Sequence, residues 1–131
     1  MGNDKNSKAH RSTCPLAGML ELLGDKWSLV ILRDIIADKH KYREFEASPE
    51  GIPTNILARR LNRLVEGGII TKQPYQERPV RYAYYLTRKG ADLLPVIQQA
   101  AHWGLRYIPG CESPPEWFFK ATQDDLMAKE D

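Results

Sequence analysis

Apolar residues recur along this chain at two spacings, and the spacings divide it into elements. Leu16, Met19, Leu20 and Leu23 repeat at helical spacing behind Thr13-Cys14-Pro15, and Gly24 follows as a stop, which predicts a first helix. Asp25 can cap a second helix. That helix runs through Trp27, Val30, Ile31, Leu32 and Ile35 with so few polar interruptions that it belongs at the centre of the core. A short third helix over residues 42–47 follows the charged turn Asp38-Lys39-His40-Lys41 and is broken by Ser48-Pro49-Glu50-Gly51. A fourth starts from Thr54, a good N-cap residue, carries Leu57, Leu61 and Leu64 on one side, and ends at Gly67-Gly68.

The period then changes. Residues 69–75 and 81–86 are rich in β-branched and aromatic side chains, and the five residues Gln76-Glu77-Arg78-Pro79-Val80 between them suit a hairpin loop. Thr87 is expected to cap a long helix through Leu93, Leu94, Val96, Ile97, Ala100 and Trp103, bent at Pro95 and ended by Pro109. Beyond it the chain shows no strong period, although Trp117-Phe118-Phe119 is apolar enough to dock on the body. This order predicts a mainly α fold with a small β-hairpin, the winged helix-turn-helix. Residues 1–12 read as a flexible arm, 13–108 as the winged domain and 109–131 as an acidic tail.

Composition narrows the setting. With 131 residues, 42% of them hydrophobic, the chain suits one domain with one modest core. Its apolar runs, such as Leu29-Val30-Ile31-Leu32, fall far short of the roughly 20 residues that span a bilayer. The polar start carries no apolar signal core, so a cytoplasmic protein with no membrane partner is expected. Cys14 and Cys111 lie too far apart for a CxxC pair, which agrees with a reducing compartment. The net charge of +2 hides a segregation: residues 54–89 hold eight basic and two acidic residues, whereas residues 109–131 hold two basic and six acidic. A basic middle segment suggests a polyanionic partner, though a solvated charged face would look the same.

The fourth helix makes that partner concrete. A DNA-reading helix needs an apolar stripe to lock it on the domain and an opposite face of polar and basic side chains that fits the major groove. Thr54, Asn55, Ala58, Arg59 and Asn62 lie away from the leucines, and Arg60 and Arg63 flank that face. Arg59 can read guanine bidentately and Asn55 or Asn62 can read adenine, whereas Arg60 and Arg63 suit phosphates or an internal carboxylate. At the hairpin, Arg78 and Arg81 stand where a wing would meet the DNA backbone or minor groove, with Pro79 stiffening the tip.

These residues carry a family likeness. Cys14-Pro15, Leu22-Leu23-Gly24-Asp25-Lys26-Trp27, Ile31-Leu32-Arg33, Tyr42-Arg43-Glu44-Phe45, Gly51-Ile52-Pro53-Thr54, Leu57-Ala58-Arg59-Arg60-Leu61, Gly68-Ile69-Ile70 and Tyr84-Tyr85-Leu86-Thr87 resemble the successive motifs of HxlR-type, MarR-like regulators over roughly residues 14–104. Tyr42 and Phe45 stand where that family more often has Phe and Leu. The resemblance implies a homodimer built through the first and last helices, bound to a near-palindromic double-stranded operator. It also implies that a cysteine placed like Cys14 senses oxidants or small electrophiles. As the residue before Pro15, Cys14 is expected at an N-cap with its sulfur near free backbone N–H groups. A bridge from Cys14 to Cys111 of another subunit is a further expectation.

Other classes find less support. His10, His40 and His102 show no metal-site spacing, no cofactor motif such as a glycine-rich phosphate loop is present, and neither HExxH nor GxSxG occurs, so no enzyme, metal or cofactor is expected. A cysteine-based reductase using Cys14 would have to show turnover, and a winged helix used only for protein contacts would leave the arginines without a common partner.

Overall fold

The computed structural model describes residues 11–128; most of the expected N-terminal arm, His10 included, lies outside the described residues. The first helix, α1 (Pro15–Leu23), starts where a proline suits the first helical position. Cys14 occupies the N-cap, but its side chain makes no capping hydrogen bond. Asp25 caps α2 (Ser28–Ile36), its Oδ2 accepting from the backbone N–H groups of Trp27 at 2.9 Å and Ser28 at 3.0 Å. Ile31, Leu32, Ile35 and Ile36 are all buried, which puts α2 at the centre of the core.

The short α3 (Tyr42–Glu46) is fixed at its start by the Glu44 carboxylate, which accepts from the N–H groups of His40 and Lys41. The turn after it is pinned to α2. Arg33 forms a two-pronged pair with Glu50 and also binds Asp34, to which the Ser48 hydroxyl donates. This anchoring aims the next helix, α4 (Thr54–Glu66), whose Leu57, Leu61 and Leu64 are 0% exposed. Thr54 is not its N-cap. Pro53 supplies the extended cap backbone, Thr54 is the first helical residue, and its hydroxyl donates to Glu46 at 2.8 Å. Gly68, at φ 73°, turns the chain out of α4 while the N–H groups of Gly68 and Ile69 satisfy the Val65 and Leu64 carbonyls.

The antiparallel hairpin pairs β1 (Ile70–Glu77) with β2 (Val80–Leu86), with a bulge between Pro74 and Gln76. Its expected five-residue loop is shorter: Gln76 pairs with Arg81 and Glu77 with Val80, leaving Arg78-Pro79 as the tip, joined by a cis peptide bond. Ladder bonds come from the backbone and tolerate residues of poor strand propensity, and the Gln76 amide also donates to the Pro79 carbonyl at 2.9 Å. On the other side of β2, the Tyr84 N–H donates to the His40 carbonyl at 2.8 Å and Lys41 bridges Ala83, tying the wing to the start of α3.

The long bent helix expected after the wing is two helices, α5 (Arg88–Ala91) and α6 (Leu94–Tyr107). Thr87 caps α5 through the Gly90 N–H, and Pro95 falls in the first turn of α6, where a missing N–H removes no helical bond. Gly90 packs so closely on the residue before β1 that a Cβ there would collide with the Ile69 carbonyl. The C-terminal segment folds back as α7 (Glu116–Lys120) and α8 (Gln123–Ala128). Phe118 and Leu126 enter the core, Phe119 stacks on His102, and the Gln98 amide donates to the carbonyls of Phe118 and Ala121. Among the described residues, no helix is long and apolar enough to cross a membrane.

Candidate nucleic-acid interface

The three leucines of α4 leave its opposite side facing outward. Asn55, Arg59 and Asn62 are exposed on one stripe, with Ala58 half-buried between them, and none of the three polar side chains bonds to another described residue. Such a stripe presents one guanidinium fork and two amides, the groups that pair with guanine and adenine edges. Thr54 begins the same side, with its hydroxyl turned to Glu46.

Both flanking arginines have partners within the described residues, Arg60 half-buried and Arg63 exposed. Arg60 pairs with Asp25 at 3.0 Å, with side-chain exposures of 27% and 17%, and Arg63 donates to the Glu21 carbonyl near the end of α1. Of the two roles the sequence leaves open, Arg60 has its internal carboxylate in Asp25, whereas Arg63 meets a backbone carbonyl and stays exposed. Burial pushes the Asp25 carboxyl up, but the Ser28 hydroxyl, the N–H groups of Trp27 and Ser28, and the Arg60 guanidinium together hold it below the ordinary carboxylate range. One carboxylate thus caps α2 and grips α4. Its capping role was legible in the sequence, but its bond to Arg60, 35 residues away, was not.

At the wing, Arg78 and Arg81 are exposed and bond to no other described side chain. Lys41 and Arg43, which the sequence places in a charged turn and a short helix, stand beside the wing with Arg81. Their signal was the run Lys39-His40-Lys41 followed by Arg43, but no spacing rule ties that run to residues 75–84. Cys14 and Cys111 are exposed free thiols. Among the described residues, no cluster of His, Cys, Asp and Glu could hold a metal ion.

Comparison with known proteins gives this geometry a context. A family model described as HxlR-like helix-turn-helix matches residues 22–112. The uncharacterized HTH-type transcriptional regulator Rv3095 of Mycobacterium tuberculosis is 40% identical over 96 residues, 73% of this chain, and the match spans 60% of that protein's length. Among solved structures, PA1607, a candidate transcription factor, is similar with a TM-score of 0.70 and 36% identity over 79% of this chain and 73% of that one. The redox regulator HypR in its reduced form is similar with a TM-score of 0.66 and 28% identity, over 71% and 92% of the two chains.

Proposed function

This chain belongs to the HxlR-like helix-turn-helix family, and from that premise we propose that it is a sequence-specific DNA-binding transcriptional regulator, not an enzyme, acting as a cytoplasmic homodimer on a near-palindromic operator. One observation carries the reading. The apolar stripe of α4 is wholly buried while Asn55, Arg59 and Asn62 on its other side are exposed and bond to no other described residue, beside a wing with exposed arginines at its tip and return strand. Thr54, Asn55, Ala58, Arg59 and Asn62 would face base edges, and Arg78 and Arg81 phosphates. Arg60 and Arg63 would act by holding α4 in place.

The dimer has its own support. Leu16 and Leu20 on α1, and Val96, Trp103 and Tyr107 on α6, are exposed, with Trp103 at 61%. Large apolar side chains left on two helices suit burial against a second copy. Dimerisation and DNA binding are assigned to residues 13–108, with residues 109–131 as an acidic tail. Selecting genomic DNA with the purified protein tests this: enrichment of one motif with twofold symmetry is expected, and failure to enrich any sequence refutes it.

Signal sensing through Cys14 extends the reading. Its thiol is exposed at the start of α1, and the far end of α1 is bonded to α4 through Arg63 and Glu21, giving a chemical change a route to the recognition helix. HypR, to which the chain is similar, is described as a redox regulator. The support is exposure and this connection rather than a thiol held by the helix end. An oxidant such as diamide removes two electrons and two protons from two thiols, here Cys14 and Cys111 of another subunit, joining them as a disulfide; an electrophile would alkylate Cys14 alone. Operator binding by the parent should change after diamide or a quinone, and Cys14→Ser should not respond. An identical response from both proteins would remove Cys14 from the mechanism.

A further inference from the structure

The wing leaves the body as two strands, and a two-stranded hairpin by itself is marginally stable in water. What fixes it is the turn before α3. The Tyr84 N–H donates to the His40 carbonyl at 2.8 Å and Lys41 bridges Ala83, so this turn serves β2 as a short third strand. Residues 80–82, with Arg81 among them, lie beyond that contact toward the tip. The direction in which the tip and Arg81 point is therefore set at residues 40 and 84.

The half-buried His40 side chain tightens the same joint. Its Nδ1 lies 2.8 Å from the Tyr84 carbonyl oxygen and its Nε2 2.8 Å from Asp38 Oδ1, and its ring stacks on Tyr85 with centres 4.4 Å apart. Asp38 holds its carboxylate there from a left-handed backbone, at φ 70°, which Asp and Asn tolerate better than most side chains.

Both polar partners of the ring are acceptors. A carbonyl oxygen has no proton to give, and a carboxylate has none in the range where imidazoles titrate. A neutral imidazole carries one N–H and one lone pair, so either tautomer would turn a lone pair on one of the two oxygens. Only the imidazolium makes both bonds. The surrounding groups suit a positive charge. Glu44 adds a second carboxylate; the N–H groups of His40 and Lys41 hold it below the ordinary carboxylate range against its own burial, and positive charge at His40 and Lys41 adds to this. On β2, Tyr85 presents a π face. The ammonium groups nearby are engaged elsewhere: Lys41 on Tyr75 at 4.4 Å, Lys72 of β1 on Tyr82 at 4.6 Å, and Lys39 within electrostatic reach of Glu50.

We infer that His40 is a positioning residue for the wing: as the imidazolium it ties β2 to Asp38, and loss of one ring proton to solvent releases one of the two bonds and loosens the wing. The joint stands on this geometry alone, and its effect on DNA rests on the DNA-binding function proposed above. The second bond is present while the ring carries both protons and is lost as pH rises through the imidazole range of about pH 5–8. A loosened wing has to be ordered again when Arg78 and Arg81 meet phosphate, which lowers DNA affinity.

Hydrogen exchange of the Tyr84 amide in the whole chain without DNA reads the joint, because that N–H is bonded to the His40 carbonyl. Expressed as protection over the intrinsic rate at each pH, it should fall about fivefold between about pH 5.5 and about pH 8.5, the factor that corresponds to one hydrogen bond. Asp38→Asn keeps the turn, and its amide can accept from an imidazole N–H or donate to a lone pair, so its protection should stay within about twofold over the same range. His40→Gln cannot bond both oxygens and should show the low value at both ends. Level protection in the parent, or an equal fall in Asp38→Asn or His40→Gln, would overturn the joint. With selected DNA at constant ionic strength, the affinity of the parent should fall over this range by about threefold more than that of Asp38→Asn, the effect of ordering one further side chain. Parallel pH profiles would overturn the coupling to DNA and leave the joint standing. If no DNA is bound at all, the regulator function and the coupling both fall, and the DNA-free exchange still decides the joint.

Discussion

Asp25 and Arg60 offer a direct test of how the recognition helix is held. The perturbation is a double-mutant cycle of Asp25→Ala, Arg60→Ala and the pair together. Asp25 accepts from the N–H groups of Trp27 and Ser28, and losing an N-cap costs about 1 kcal/mol, within a range of roughly 0.5–2. The ion pair at 3.0 Å is mostly shielded from water, with exposures of 27% and 17%. That places it above an exposed pair, and a coupling of about 1 kcal/mol is expected. Asp25→Ala should therefore cost about 2 kcal/mol and Arg60→Ala about 1 kcal/mol by urea unfolding at one protein concentration. Because the Asp25 carboxyl lies below its ordinary range, its stabilisation is complete above the unfolded value of about 3.9 and is lost as pH falls through the folded one. The Asp25→Ala penalty should accordingly be full at pH 7 and shrink below about pH 4. DNA binding supplies the second readout: Arg60→Ala should preserve the slope of log affinity against log salt, whereas Arg78→Ala, which removes two contacts from a dimer at about 0.9 each, should make it shallower by about 1.8. A coupling under about 0.3 kcal/mol, or a slope reduced by Arg60→Ala as much as by Arg78→Ala, would refute the view that Arg60 holds α4 rather than DNA.

Three further outcomes are expected. Arg59→Ala should relax specificity at one operator position by about 1–3 kcal/mol, read by competition among single-base operator variants; equal losses on specific and random DNA would make Arg59 a phosphate contact. Gly90→Ala should destabilise the fold by about 1–3 kcal/mol in urea, because the added methyl meets the Ile69 backbone carbonyl rather than a movable side chain. Trp103→Glu, at a side chain 61% exposed, should convert the proposed dimer to a folded monomer in analytical ultracentrifugation, and an unaltered dimer would move the interface elsewhere.

Much of the fold is written in short-range order. The helical spacing of Leu57, Leu61 and Leu64 determines both that α4 forms and which side it buries, since side chains three and four residues apart share a helix face. The unbroken apolar character of α2 likewise places it in the core, and Gly67-Gly68 ends α4 because a left-handed turn there suits glycine. Short helices are less legible. With five residues in α7, Phe118 has too few neighbours to form a period, yet the core accepts it. Pro95 also reads ambiguously, because a proline marks either a bend or a fresh start; the close approach of Gly90 to Ile69 and the turn after α5 give a fresh start.

The sequence by itself determined the order of elements, the buried stripe of α4 and the concentration of positive charge from α4 through the wing, because each is a property of neighbours along the chain. Only the tertiary structure decided which of those charges are free. Arg59 and Arg60 are adjacent in sequence, but successive helical residues point about 100° apart; Asp25 comes within reach of Arg60 and leaves Arg59 to solvent. The joint at the wing has the same origin, since the His40 ring reaches the Tyr84 carbonyl only once β2 lies against the start of α3. Such convergence depends on contacts dozens of residues apart, which no local period records.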